Sequence, residues 1–236
     1  MRMLTGTSGY SYKEWLGPFY PEKLPADEML RHYAARLPTV EINNTFYRMP
    51  AMPVLERWAQ EVPAGFLFAL KAPQRITHIK RLKDAAPVVE ELVRRAEALG
   101  DKLGIVLFQC PPTLRKDLPR LRDFLGALPD HLRVALEFRH DSWHDDEVYE
   151  ALRARGAALC VAEDDAGSTP IVCTSGDAYL RLRRSRYDDS DLRAWIDRLA
   201  AQPLERAWVY FKHEDQAVAP LFAGRLAALW KETGRG

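Results

Sequence analysis

One repeated unit constrains this chain more than any other feature. A short apolar, β-branched or aromatic run stops abruptly in polar and charged residues, and a segment with helical spacing follows. TVEINNTFYR, FLFALKAP, GIVLFQCPP, RVALEFRHDSW, ALCVAEDD, AYLRLRR and AWVYFKHED each place Glu, Asn, Lys, Gln, Arg, His or Asp just past the apolar stretch. Runs without polar alternation suit strands buried on both faces, which is the condition of a parallel sheet covered by helices. In a closed parallel barrel all those endings meet on one face, where such folds keep their chemistry.

The pattern predicts eight strands, over residues 3–7, 39–43, 66–70, 105–108, 134–138, 158–162, 179–182 and 208–211. Helical stripes lie between them. Met29, Leu30, Tyr33, Ala34 and Leu37 form one after a cap at Asp27, and Val54, Leu55, Trp58, Ala59 and Val62 form the next. Val88 to Leu99 gives a third, opened by Pro87 and ended near Gly100. Asp117 opens a fourth, Asp145 and Asp146 a fifth that Gly156 closes, and Ser190 a sixth. Leu221, Phe222, Leu226, Leu229 and Trp230 mark the last helix. Between the sixth and seventh strands no helical stripe is present. Pro170 to Cys173 looks extended, so a loop or an extra short strand is expected there. The fold class is therefore α/β, a single TIM-like (β/α)₈ barrel over residues 1–236 with one irregular crossover, and an open doubly wound sheet is its rival.

At 236 residues, 47% apolar and 28% charged, the chain suits one domain with a sizeable core and a solvated surface. A formal charge of +1 gives no general attraction to nucleic acid or anionic membrane. Cys110, Cys160 and Cys173 are an odd set without CxxC or CxxH spacing, which predicts neither a disulfide framework nor structural zinc and fits a reducing cytoplasm. No secretory signal opens the chain and no run approaches a membrane span, so the Asn43-Asn44-Thr45 glycosylation triplet reads as chance.

Glu41 and Glu137 lie in the endings of the second and fifth strands. Facing the mouth, one could act as general acid and the other as base, provided their surroundings separate their pKa values. They could equally anchor Lys71, Arg139 or Arg181 in a buried ionic layer. Lys71 could form a Schiff base or hold an anion. Arg48, Arg139, Arg181, Arg183 and Lys212 add cations to the same endings and point to a phosphate or carboxylate ligand, although solvation or pairing with acids would also account for them. Asn43, Tyr47, Gln109, His140, Trp143 and Glu163 complete the expected ligand contacts, each with an ordinary structural use as cap, packing or backbone partner. Tyr10, Trp15 and Tyr20 could form a lid over the mouth or cover the barrel edge. No cofactor is expected. A divalent metal can be assembled from Glu41, Glu137, Glu163 and His213 with His140, but without HxH or HxxxH spacing.

GTSGYSYKEWLGPFYP, VEINNTFYRMP, FALKAPQRITH, LGIVLFQCPP, LEFRHDSW, YLRLR and VYFKHE, in this order along nearly the whole chain, resemble the DUF72 (YecE-like) family. The resemblance implies a TIM barrel and no established reaction. Likeness of that fold to endonuclease IV-like barrels suggests nucleic-acid or metal-dependent chemistry, by analogy of fold alone. Two segments depart from the family pattern. Lys212, His213, Glu214 and Asp215 stand where relatives carry an aromatic, Asn-rich turn, and RLRRSR replaces a strand leading to His-Gly. Three functions follow as expectations. The first is an enzyme of the hydrolase, lyase or isomerase kind acting on a small anionic substrate. The second is a protein that binds short nucleic acid, or a phosphodiesterase, laying Arg181, Arg183, Arg184 and Arg186 on phosphates. The third is a ligand-binding barrel without catalysis.

Overall fold

The computed structural model describes residues 1–212 and 217–234. The predicted apolar runs become β1 (Arg2–Ser8), β2 (Thr39–Ile42), β3 (Leu67–Lys71), β4 (Leu103–Gln109), β5 (Val134–Glu137), β6 (Ala158–Asp164), β8 (Asp177–Leu182) and β9 (Arg206–Phe211), with a two-residue β7 (Gly167–Ser168). All are parallel except β7, which hangs antiparallel on β6. The order β5-β4-β3-β2-β1-β9-β8-β6 is closed by pairing of β5 with β6. Closure excludes the open doubly wound sheet, and it puts every strand ending at the same mouth.

Helices α1 (Met29–Ala34), α2 (Met52–Glu61), α3 (Ala86–Ala96), α4 (Leu118–Gly126), α5 (Asp146–Arg155), α6 (Asp189–Ala200) and α7 (Val218–Glu232) return the chain between strands and cover the sheet. Asp117 caps α4 by accepting from the Arg120 N–H, Asp145 caps α5 through Glu147, and Gly156 ends α5 in the left-handed conformation at φ 66°. Two expected caps differ. α1 opens after Glu28 with no side-chain cap, so Asp27 plays no such part. α6 is capped by Asp188, whose carboxylate accepts from the Asp191 N–H while Asp191 reaches back to the Asp188 N–H; Ser190 lies inside the helix and donates to Asp188. A reciprocal box of this kind satisfies two otherwise orphaned amides, which one serine cannot do.

Between β6 and β8 the described residues form no helix. The extra strand sits at β7, and the segment after it is stitched to β6 by side chains. Thr174 Oγ1 donates to the Ala157 carbonyl and accepts from the Leu159 N–H, and Thr169 Oγ1 accepts from the Ala162 N–H. Two threonines thus satisfy backbone groups that a covering helix would leave to the sheet.

The apolar residues divide into two cores. The larger lies between sheet and helices, and the smaller fills the barrel with Leu4, Ile105, Leu107, Cys160, Tyr179, Trp208 and Tyr210 among others. Small residues permit the closure. A Cβ on Gly6 would lie 2.1 Å from the Thr39 carbonyl oxygen, and one on Gly104 would meet the Trp208 ring at 2.5 Å. At the end away from the mouth Asp177 accepts from Trp208 Nε1 at 2.9 Å and Arg206 Nε at 2.7 Å, a polar floor beneath the interior side chains. Trp15 and Tyr20 are fully buried in a loop that packs with Phe19 and Tyr33 on the outer core, so they cover the barrel edge and form no lid. Among the described residues no helix is long and apolar enough to cross a membrane.

Candidate functional site at the barrel mouth

Glu41, Glu137 and Arg181 occupy inward positions near the ends of β2, β5 and β8, and all three side chains are at least 96% sealed from solvent. Arg181 bridges the two carboxylates, with Nη2 2.9 Å from Glu41 Oε1 and Nη1 2.8 Å from Glu137 Oε2. Tyr179, two residues back on the same face of β8, donates to Glu41 Oε2 at 2.7 Å, and Ser8 from the end of β1 donates to Oε1 at 2.6 Å. Asn43 Oδ1 also accepts from Arg181, at 3.3 Å.

Glu137 collects four donors. Arg139 Nε and Arg183 Nη2 reach Oε1, each at 3.1 Å, and Gln109 Nε2 joins Arg181 on Oε2 at 2.7 Å. Arg139 and Arg183 project outward from this anchor, with 39% and 23% of their side-chain surface exposed.

Both glutamates are held below the ordinary carboxylate value. Burial alone would raise the Glu41 carboxyl, but the Arg181 guanidinium with the Ser8 and Tyr179 hydroxyls overrides it and holds the group below its ordinary value. At Glu137 burial is again overcome, by Arg181, then Arg183 and Arg139, with Gln109 adding to them, and the carboxyl is pushed far down. Both remain carboxylates at neutral pH. Glu41, Arg181 and Glu137 form a buried ionic layer.

Lys71 is different. It ends β3, and its backbone is fixed by a Thr45 hydroxyl donated to its carbonyl at 2.7 Å. Its ammonium rests 3.9 Å from the centre of the Phe46 ring, and no carboxylate among the described residues lies within ion-pairing distance. Desolvation first, and then the Arg181 and Arg139 charges, outweigh the pull of Glu41 and Glu137 and lower its pKa to about 8. His78 packs edge-on with the same phenyl ring at 4.9 Å between centroids and shares a 2.8 Å hydrogen bond with Thr77. Its pKa is lowered by desolvation, by Lys71 and by Arg139.

Beside this cluster lies an open groove of about 670 Å³ whose walls include Glu137, Arg139, His144, Asp164, Thr169 and Arg183. Arg139 is common to both features, since it lines the groove and acts electrostatically on Lys71 and His78.

Several expected contacts fall elsewhere. Glu163 points to the helix layer, where it accepts from Tyr187 at 2.7 Å and Trp195 Nε1 at 3.2 Å. Trp143 is fully buried, stacks on Phe138 and donates Nε1 to the Leu114 carbonyl at 2.7 Å. His140 caps the short turn that carries Trp143, accepting from the Ser142 N–H. Tyr47, 74% exposed, and Arg48 lie on the surface after Phe46, and Lys212 is exposed at the end of β9. Of the arginines expected on phosphates, Arg181 is buried between the glutamates and Arg184 pairs with Asp191 at 2.9 Å. Ser8, Phe46, His78 and Tyr179 join the site without having been expected there.

Among the described residues the side chains expected to hold a metal do not gather. Arginines occupy Glu41 and Glu137, Glu163 faces away, and His213 lies outside the described residues. Among the described residues no group of three or more His, Cys, Asp or Glu side chains gathers in ligand geometry. Cys110 and Cys160 are buried thiols, with Cys110 raised to about 12 by desolvation and by Glu137.

Known proteins share this architecture. A DUF72 family protein from Thermotoga maritima MSB8 superposes with a TM-score of 0.85 at 26% identity, covering 98% of this chain and 100% of the other. One from Enterococcus faecalis V583 gives a TM-score of 0.81 at 16% identity over 97% and 95% of the two chains, a likeness of fold alone. In sequence, the chain is 33% identical to UPF0759 protein YecE of Escherichia coli (strain K12) over 128 residues, 54% of this chain and 47% of the relative. It is 29% identical to UPF0759 protein YunF of Bacillus subtilis (strain 168) over 193 residues, 75% and 67% of the two. The match therefore spans about half the length of YecE. The family model described as "Protein of unknown function DUF72" matches residues 4–236, strands, mouth residues and covering helices together, and the chain belongs to that family.

Proposed function

We propose that this protein is an enzyme that binds a small phosphate- or carboxylate-bearing substrate at the barrel mouth, with Arg139, Arg183 and Lys71 holding the anion and Lys71 serving as the proton-transfer group. The charge balance of the cluster carries the reading. Among the described residues Arg181, Arg139 and Arg183 form ion pairs only with Glu41 and Glu137, so with protonated Lys71 the cluster carries two more positive than negative charges, and Asp141 and Asp164 stand farther out along the groove. Every oxygen of both carboxylates already accepts a hydrogen bond, whereas Nε of Arg181 and of Arg183 has no acceptor among the described residues. Donors exceed acceptors, and a ligand supplying oxygen acceptors and negative charge corrects both imbalances. The glutamates, held ionised, serve here to aim the arginines, and proton transfer near neutrality falls to the group whose pKa lies there.

Calorimetric titration of the wild-type chain with inorganic phosphate and with acetate tests this reading. Saturable binding that weakens about tenfold in Arg139→Gln, the loss of one charge-assisted contact, is expected. Absence of saturable binding by either anion would sink it. Binding only of single-stranded oligonucleotide, falling steeply with salt, would replace it with a nucleic-acid function.

A further inference from the structure

We infer that Lys71 forms an iminium with a carbonyl group, so that the substrate is a small aldehyde or ketone that also carries phosphate or carboxylate. The inference rests on the anionic pocket proposed above and names the chemistry done there. Its basis is the way the mouth distributes its counter-charges. Three arginines saturate both carboxylates, and Lys71 has no carboxylate partner among the described residues and rests its ammonium on the Phe46 ring. A lysine meant only to balance charge would be expected to share one of those carboxylates. Desolvation and the nearby Arg181 and Arg139 guanidinium groups destabilise the ammonium by more than its cation–π contact with Phe46 restores, and they leave the amine available. The lowered pKa agrees with that placement.

Position fits the chemistry too. Lys71 lies at the end of a barrel strand with its backbone pinned by Thr45 and by the Ala72 N–H bond to the Leu107 carbonyl, so its amine has a fixed origin. Arg139 lies within electrostatic reach and lines the adjoining groove, where the anionic end of a short substrate would sit. In the step itself the lone pair of neutral Nζ bonds to the carbonyl carbon while the C–O π pair moves to oxygen. One N–H proton passes to that oxygen through solvent, giving a carbinolamine. The hydroxyl then takes a second proton and leaves as water, and the nitrogen lone pair closes the C=N bond of a protonated iminium. No oxidant or cofactor enters the balance. The iminium withdraws electrons from the adjacent carbon, which is what isomerases and lyases of oxo-acids and sugar phosphates require.

The wild-type chain is incubated with glyoxylate and sodium cyanoborohydride, in parallel with acetaldehyde, and labelled positions are located by peptide mass mapping. Glyoxylate is expected to leave a carboxymethyl group on Lys71 at least about tenfold faster than on the exposed Lys83 and Lys231, because far more of a lysine with a lowered pKa is neutral near pH 8. Inorganic phosphate should compete, and acetaldehyde should label Lys71 more slowly than glyoxylate does. Lys71→Arg should lose the label, since it keeps the charge and removes the nucleophile. Labelling of Lys71 no faster than of Lys83 and Lys231, in a protein that still binds phosphate, would overturn the iminium and leave the anionic pocket standing. Equal labelling by both aldehydes without competition by phosphate would overturn the anionic substrate class and leave the reactive amine. The mapping on wild-type protein decides the matter even if Lys71→Arg does not fold.

Discussion

Arg181 Nη1 lies 2.8 Å from Glu137 Oε2, and the two side chains are 4% and 1% exposed, so neither can exchange its partner for water. The same guanidinium holds Glu41, which makes Arg181 the cation shared by both buried carboxylates, while Glu137 also pairs with Arg139 and Arg183. Removing it leaves Glu41 to be buried without a cation or to take up a proton, and it strips Glu137 of its most buried partner. Arg181→Met should cost about 3–5 kcal/mol, the usual result of breaking a buried pair from one side. Arg181→Lys should recover only part of that, because one ammonium cannot span both acids. Urea midpoints report both values; a loss below about 1 kcal/mol in Arg181→Met would show that the bridge is not the structural centre of the mouth.

Acid should unfold the protein through the same two glutamates. Both have folded-state pKa values depressed below the ordinary carboxylate range. A depressed carboxyl contributes stability that is fully present above its unfolded pKa, about 4.3, and is lost as pH falls towards and through the folded value. Stability should therefore fall steeply below about pH 4.5. Glu137→Gln should be less stable than wild type at pH 7, because Arg139 and Arg183 lose their shared anion, and its acid limb should be shallower. Urea unfolding at intervals between pH 6 and pH 3 would reveal this; parallel curves would contradict the assignment.

The barrel was legible because unbroken apolar runs admit few alternatives, and even the missing helix before β8 showed as a missing stripe. The direction of each polar ending was not. Strands buried on both faces carry no alternation, so nothing along ALCVAED says that Ala162 faces the barrel and Glu163 the helices. Glu41 and Glu137 happened to fall on the inward positions. Phe46 and His78 escaped notice because their meeting with Lys71 is a tertiary contact between the loops after β2 and β3. Tyr179 could have been found, since it stands two residues before Arg181 and so shares its face.

Trp143 gives a separation of structure from function. Its indole fills a sealed position on Phe138 and donates to the Leu114 carbonyl. Trp143→Phe should cost about 1–3 kcal/mol by leaving that carbonyl unpaired. Phosphate affinity, measured well below the lowered melting temperature, should stay within about twofold of wild type, as expected for a surface the ligand never touches. A selective loss of binding with unchanged stability would return Trp143 to the pocket.

Lys71 makes a prediction of opposite sign to the acids. Its folded pKa is about 8, against 10.5 for an ordinary lysine, so between those values the unfolded chain holds more protons than the folded one. Stability contributed at this position must then rise with pH across that window, and below it the protein carries the full cost of a poorly solvated ammonium. Lys71→Met removes the cost. The variant should be more stable than wild type at pH 7, and its advantage should shrink as pH rises from 8 towards 10.5. Titrating groups that do not feel Lys71 are shared by the two proteins and cancel in the difference. Urea midpoints at pH 7, 9 and 10 measure the gap directly, and a gap independent of pH would mean that Lys71 is an ordinary solvated lysine, with neither an amine available near neutrality nor a charge in need of an anion.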